Sequence, residues 1–166
     1  MIAKDWSRFI VRINVRSTRQ QIYAAWATRA GIESWFLRLC EYVNKEGVAL
    51  EPHIAAGTGD RYTFLWHGYS DEAVERGTVL EANGHDIFRF SFGKAGNCTV
   101  RILLAGDEQI VELEQDNIPT DEDSKFMYHE GCSLGWTFYL TNLKSILEGG
   151  LDLRNRDVNL QNMLNS

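Results

Sequence analysis

The feature that most constrains the fold is an amphipathic segment near the C-terminus, where apolar residues recur at steps of three and four. This spacing is the period of an α-helix that buries one side. Its apolar positions are Cys132, Trp136, Tyr139, Leu140, Leu143 and Leu147. We therefore predict one long helix with a continuous apolar face, which must pack against another layer of the domain.

Residues on both sides of this segment mark the ends of the helix. Thr120 and Asp123 have the spacing of a capping box, and the acidic residues near them lie where the helix dipole is positive. Two glycines, at positions 149 and 150, interrupt the helix at its other end. The predicted helix therefore runs from near Asp121 to near Glu148.

The layer under this helix is predicted to be a sheet, because several segments alternate between apolar and polar residues. A period of two is typical of strands with one buried face. The segments are residues 9–15, 62–66, 77–80, 88–92, 98–104 and 111–113, with a weaker one near Tyr42. Asn83-Gly84 and Gly106-Asp107 are typical of turns between strands. We predict a curved antiparallel sheet of six or seven strands around the long helix.

Two short helices are predicted between the first and second strands. Ser17 or Thr18 caps the first of them, and Gly31 ends it. Its apolar positions, at helical spacing, are Ile22, Ala25 and Trp26. The second helix carries Trp35 and Phe36. Helices segregated from an antiparallel sheet make an α+β domain.

The overall composition limits the classes of protein to which the chain can belong. Its 166 residues fit one domain, placed at 1–150 and followed by a polar tail at 151–166. The net charge of −6 argues against a nucleic-acid partner, because a phosphate backbone needs a clustered basic face. No apolar stretch has the length of a signal peptide or a membrane span. Three cysteines without a close pair indicate reduced thiols and a cytoplasmic location.

The polar side chains form no set that predicts catalysis, a metal site or a cofactor. The four histidines lie on different predicted elements without ligand spacing. His129 and Glu130 are candidates for an acid/base pair at a cavity mouth, but an exposed helical histidine beside a glutamate is usually only solvated. Glu112, Glu114 and Asp116 are predicted to share the outer face of the sheet. We assign no catalytic residue, no metal and no cofactor.

Four stretches of the chain carry a resemblance to a known fold: residues 22–26 with Trp35, 59–66, 77–81 before three phenylalanines, and 135–149. Their order resembles the helix-grip fold of the START-like superfamily, also called SRPBCC or birch-pollen-allergen-like. Within it, the sequence is most similar to the family of homologues of the activator of the ninety-kilodalton heat-shock protein ATPase. The chain departs from that pattern in an acidic insert at 116–125 and in having Gln115 where a histidine is often found.

The residues that remain for function are mainly aromatic and lie on the predicted inner face of the sheet and on the long helix. They are expected to line a ligand cavity between the two layers. The predicted site consists of Trp35, Tyr62, Phe64, Trp66, Phe90, Phe92, Gln115, Cys132, Trp136 and Leu140. Gly131 and Gly135 support it, because each weakens the helix by ~1 kcal/mol relative to alanine and leaves space beside it. The alternative is that these side chains simply fill the core.

Three functions stay open at this point. The first is a module that binds a small hydrophobic or aromatic molecule in the cavity. The second, implied by the resemblance, is a co-chaperone of the stress response that stimulates a heat-shock chaperone ATPase, with residues 121–123, Arg154 and Arg156 as its charged surface features. The third is a cyclase- or hydrolase-type enzyme that uses the same cavity. It ranks last, because no acid/base set is identifiable.

Overall fold

The computed structural model describes residues 2–164, and its strands form a seven-stranded antiparallel sheet. The strands are β1 (Phe9–Val15), β2 (Leu39–Val43), β3 (Arg61–Leu65), β4 (Val74–Ala82), β5 (Ile87–Ser91), β6 (Asn97–Ala105) and β7 (Glu108–Asp116). Their order across the sheet is β1-β7-β6-β5-β4-β3-β2, so the first two strands of the chain form opposite edges. The predicted sheet is confirmed, including the hairpin between β6 and β7.

Strand β7 shows why the alternation in the sequence predicts the two faces of the sheet. Leu113 and Gln115 point toward the helices and are completely buried. Glu112 points to the outer face, where it pairs with Arg12 at 2.6 Å and with Arg101 at 3.4 Å. The acidic residues of β7 therefore form ion pairs on the outer face and lie away from the interior.

Two short helices, α1 (Arg19–Ala27) and α2 (Arg29–Glu33), follow β1 as predicted. The break between them is at Thr28, and the prediction that Gly31 ends α1 is wrong. The Thr28 hydroxyl donates a hydrogen bond to the carbonyl oxygen of Ala24 at 2.8 Å and accepts one from the Gly31 amide at 3.0 Å. One threonine side chain therefore closes α1 and opens α2.

Gly31 lies inside α2, where the close approach of α1 excludes a side chain. A Cβ atom at this position would lie 2.0 Å from the carbonyl oxygen of Ala24.

Trp35 and Phe36 follow α2 in a turn, whereas we predicted that they lie in the helix. The reason is that the amides of Phe36 and Leu37 both bond to the carbonyl oxygen of Ile32, which turns the chain out of the helix.

The predicted long C-terminal helix is confirmed and consists of three consecutive segments. A first turn, α3 (Glu122–Ser124), leads into a π-helical segment (Lys125–Glu130), and α4 (Gly131–Leu147) continues from it. The sequence analysis did not predict the π-helical segment.

No helix within residues 2–164 is both long enough and apolar enough to cross a membrane.

The start of this helix differs from the predicted capping box. Asp121 is the N-cap, and its carboxylate accepts a hydrogen bond from the Ser124 amide at 3.0 Å. The prediction that Thr120 and Asp123 form a capping box is therefore wrong, because the cap lies one residue later than Thr120. A carboxylate at the N-cap also interacts favourably with the positive end of the helix dipole.

The N-terminal arm, which precedes β1, packs against the π-helical segment. His129, which we expected to be exposed, is only 5% exposed, and its Nε2 atom lies 3.0 Å from the carbonyl oxygen of Arg8. The ring of Trp6 contacts the imidazole edge-on, with centroids 5.1 Å apart. Glu130 pairs with Lys4 at 3.3 Å instead. His129 therefore holds the arm in place and does not form the acid/base pair considered from the sequence.

The tail was expected on the surface, but one of its side chains enters the protein. Arg154 is 8% exposed and donates hydrogen bonds to the carbonyl oxygens of Glu33 and Ser34 at 3.1 Å and of Leu37 at 3.0 Å. Its guanidinium group also pairs with Asp152 at 2.8 Å. Arg154 therefore satisfies the carbonyl groups that the end of α2 leaves free.

Candidate ligand-binding recess

Aromatic side chains fill most of the space between the sheet and α4. Of the predicted site residues, Trp35, Phe64, Phe90 and Leu140 are at most 1% exposed, and Tyr62 is 3% exposed. The Tyr62 and Phe64 rings stack with centroids 3.9 Å apart, and the Tyr62 hydroxyl donates to the carbonyl oxygen of Ser91. These five residues therefore belong to the packed core.

An apolar recess of about 150 Å³ lies beside α4. It is lined by Phe36, Trp66, Phe92, Gly131, Cys132, Gly135, Trp136 and Tyr139. We call this space the aromatic recess. Four of the predicted site residues, namely Trp66, Phe92, Cys132 and Trp136, lie in its wall. Trp66 and Tyr139 also line a neighbouring recess of about 220 Å³, so the two spaces adjoin.

The two glycines of α4 open the wall of the aromatic recess. A Cβ atom at Gly135 would meet nothing within 4 Å, and one at Gly131 would lie 3.5 Å from the carbonyl oxygen of Phe126. Gly131 has φ −60° and ψ −46°, which any helical residue adopts. The helix therefore has no conformational need for glycine at position 131, and at both positions the missing side chain leaves space beside the helix.

Gln115 orients one wall of the recess from behind. Its Oε1 atom accepts a hydrogen bond from Trp136 Nε1 at 2.9 Å and one from Cys98 Sγ at 3.6 Å. Its Nε2 atom donates to the carbonyl oxygen of Ala95 at 2.9 Å. Gln115 faces inward as predicted, and it positions the indole ring of Trp136 without lining the recess itself.

The recess is electrically neutral, since no charged side chain is among the residues that line it. Burial raises the pKa of the Cys132 thiol, and a hydrogen bond with Gln115 offsets only part of this effect. Burial also raises the pKa of the Tyr139 hydroxyl. Both groups are uncharged at neutral pH, so the wall suits an uncharged apolar molecule.

Two aromatic residues of the wall, Phe36 and Tyr139, are absent from the predicted site. Tyr139 belongs to the predicted apolar side of the helix, so its position was available from the helical spacing. Phe36 lies in the wall only because the chain turns after α2, which the local sequence does not reveal.

Among residues 2–164, no three His, Cys, Asp or Glu side chains lie close enough to hold a metal ion.

Comparisons with known proteins agree with this architecture. Among solved structures, the chain is similar to the protein SSP2350 from Staphylococcus saprophyticus, with a TM-score of 0.66, 18% identity, and coverage of 91% of this chain and 98% of the other. It is also similar to the Aha1 dimer from Colwellia psychrerythraea, with a TM-score of 0.64, 17% identity, and coverage of 86% and 97%. At these identities the likeness establishes the fold alone.

Sequence comparison identifies the family. No curated protein matches the sequence. The family model described as "Activator of Hsp90 ATPase homolog 1-like protein" matches residues 16–148, which run from the end of β1 to the end of α4. The chain therefore belongs to the Activator of Hsp90 ATPase homolog 1-like family.

Proposed function

We propose that this protein binds a small, uncharged aromatic or apolar molecule in the aromatic recess. The observation that carries the proposal is the pair of helical glycines that open α4 onto aromatic walls. Each glycine costs helix stability, and a protein with no ligand to admit would gain stability from an alanine there. The recess therefore has the features of a site kept open for a ligand.

The volume of the recess limits the size of this ligand. A cavity of about 150 Å³ lined by apolar side chains accommodates one benzene-sized ring, and the aromatic recess has this volume. The adjoining recess beyond Trp66 and Tyr139 provides room for a substituent. We expect a one-ring compound to contact the faces of Trp66 and Trp136, where well-placed ring pairs contribute roughly 0.5–1.5 kcal/mol each.

The test is a titration with toluene, p-cresol and cyclohexanol, followed by the indole N–H signals in NMR spectra and by the melting temperature. The signals of Trp66 and Trp136 are expected to shift, whereas that of Trp6, which lies on the N-terminal arm, serves as an internal control. A ligand at 100 times its Kd stabilises the protein by about 2.7 kcal/mol. Binding is therefore expected to raise the melting temperature as well.

Two variants separate binding in the recess from binding elsewhere. Gly135→Leu places a side chain in the recess and is expected to abolish the shifts while the protein stays folded. Thr137→Leu places the same side chain at an exposed position of α4 and is expected to leave binding intact. If none of the compounds shifts Trp66 and Trp136, or if the shifts persist in Gly135→Leu, the proposed site is wrong.

The family favours a second candidate, a co-chaperone that stimulates an ATPase of the heat-shock chaperone type. Of the charged features considered from the sequence, Arg154 is buried, so Asp121, Glu122, Asp123 and Arg156 remain for a surface contact. The test is the ATPase rate of the cognate chaperone at saturating protein, with Glu122→Gln/Asp123→Asn as the variant. An unchanged rate would leave the family membership as a statement of ancestry only.

A further inference from the structure

Two arginines on the outer face of the sheet lack the partners that every other arginine has. Within residues 2–164, the remaining arginines all form an ion pair or a hydrogen bond with a protein group. Arg61 on β3 and Arg76 on β4 form neither, and both are exposed. In a protein whose net charge is −6, two adjacent arginines without a carboxylate partner require an explanation.

The strand register brings these arginines together. Arg61 lies opposite Thr78, and Arg76 lies opposite Thr63, so two arginines and two threonines occupy the corners of one square. Diagonal positions on neighbouring strands are ~7–8 Å apart, which is within reach of long side chains. All four residues share the outer face, because the intervening Tyr62 is buried on the inner face against Phe64 and Phe90.

These four residues lie in a groove of about 570 Å³, which is open to solvent. The hairpin that begins with β2 forms its other wall and contributes Glu41, Val43 and Gly47. Glu41 lies opposite Thr63, on the same face as the arginines, but no oxygen of Glu41 is within 4.0 Å of either guanidinium group. The groove therefore combines two free cationic donors with one free carboxylate.

We propose that this groove binds a small phosphorylated alcohol. The guanidinium groups of Arg61 and Arg76 donate to the phosphate oxygens, a pairing for which the planar fork of arginine is well suited. The hydroxyl groups of Thr63 and Thr78 supply further donors between them. Glu41 accepts a hydrogen bond from the hydroxyl group of the ligand and disfavours ligands that carry only negative charge. The groove lies on the opposite face of the sheet from the aromatic recess, so the two proposals are independent.

The binding test uses glycerol 3-phosphate and inorganic phosphate as probes, with the arginine Nε–H signals followed by NMR. We expect the signals of Arg61 and Arg76 to shift, with half-saturation at a glycerol 3-phosphate concentration of about 1 mM. Arg61→Gln and Arg76→Gln are each expected to weaken binding by about tenfold or more, which corresponds to at least one lost charge-assisted contact. Both side chains are exposed, so both variants are expected to fold.

Arg16→Gln is the matched control, because it removes the same charge from a side chain that is 80% exposed near the end of β1. It is expected to leave the affinity unchanged. An equal loss in all three variants would mean that only the overall charge matters, and it would overturn the proposal. So would the absence of shifts at Arg61 and Arg76.

Glu41→Gln tests the alcohol part of the proposal. Removal of this carboxylate is expected to strengthen the binding of inorganic phosphate, because it removes a repulsion. The preference for glycerol 3-phosphate over inorganic phosphate is expected to fall at the same time. If the preference does not change, Glu41 does not contact the ligand and the groove does not select an alcohol.

Discussion

Trp136 on α4 donates its indole hydrogen to Gln115 on β7 across a distance of 2.9 Å. This bond joins the long helix to the sheet in the middle of the core, where Gln115 is completely buried. It also fixes the plane of the ring that forms one wall of the aromatic recess. Stability and the shape of the candidate site therefore depend on the same buried amide.

Gln115→Leu is expected to lower the free energy of unfolding by about 1–3 kcal/mol, because it leaves Trp136 Nε1 and the carbonyl oxygen of Ala95 buried without partners. Urea denaturation measures this loss. Gln109→Leu, at a partly exposed position of the same strand, is the control and is expected to have little effect. Equal effects of the two substitutions would show that the bond to Trp136 contributes nothing.

Two helical glycines are expected to respond to alanine with opposite signs. Gly135→Ala is expected to stabilise the protein by roughly 0.5–1 kcal/mol, because a Cβ there meets nothing within 4 Å and alanine favours the helix. Gly31→Ala is expected to destabilise it, because the Cβ would lie 2.0 Å from the carbonyl oxygen of Ala24. Thermal denaturation of both variants provides the check, and a shared sign would contradict the packing described for α1 and α2.

Arg154 and Arg156 both pair with Asp152 at 2.8 Å but differ in burial, which makes them a matched pair. Arg154→Ala is expected to cost at least about 2 kcal/mol, because several buried carbonyl groups lose a charged donor. Arg156 has a side chain that is 63% exposed, so Arg156→Ala is expected to cost less than about 1 kcal/mol. Urea midpoints compare the two, and similar losses would mean that Arg154 does not cap α2.

Cys132 is expected to report on occupancy of the aromatic recess. It is the one partly exposed cysteine, whereas Cys40 and Cys98 are buried, so iodoacetamide is expected to modify Cys132 first. Because burial raises the pKa of its thiol, the rate is expected to keep rising at a pH where an ordinary thiol is already ionised. Mass spectrometry locates the label. Both the addition of toluene and the substitution Gly135→Leu are expected to slow this reaction. If neither of them changes the rate, the recess is inaccessible.

The sheet and the long helix were predictable from the sequence because their signals are local. Alternation along β7 and the spacing of Trp136, Tyr139 and Leu143 depend on residues a few positions apart. The turn after α2 and the cap at Thr28 were not predictable, because each depends on which of several competing side-chain and backbone hydrogen bonds forms.

Contacts between distant parts of the chain explain the remaining differences. His129 is buried because the carbonyl group of Arg8 lies over it, and Arg154 is buried because the end of α2 needs donors. Each contact joins residues about 120 positions apart, which no periodicity in the sequence encodes. The same distinction between local and distant signals applies to the candidate site. Trp66, Phe92 and Trp136 were predicted to line it, whereas Phe36 was not.

The position of β1 at the edge of the sheet has a consequence for how the protein is made. A ribosome synthesises β1 first among the strands, yet its strand partner is β7, the last one. The carbonyl groups at the end of α2 likewise obtain their hydrogen-bond donor only after Arg154 has been synthesised. During translation, the apolar side chains of the N-terminal third are therefore synthesised before the segments that bury them. The sheet and the core are completed only when the final segments of the domain leave the ribosome.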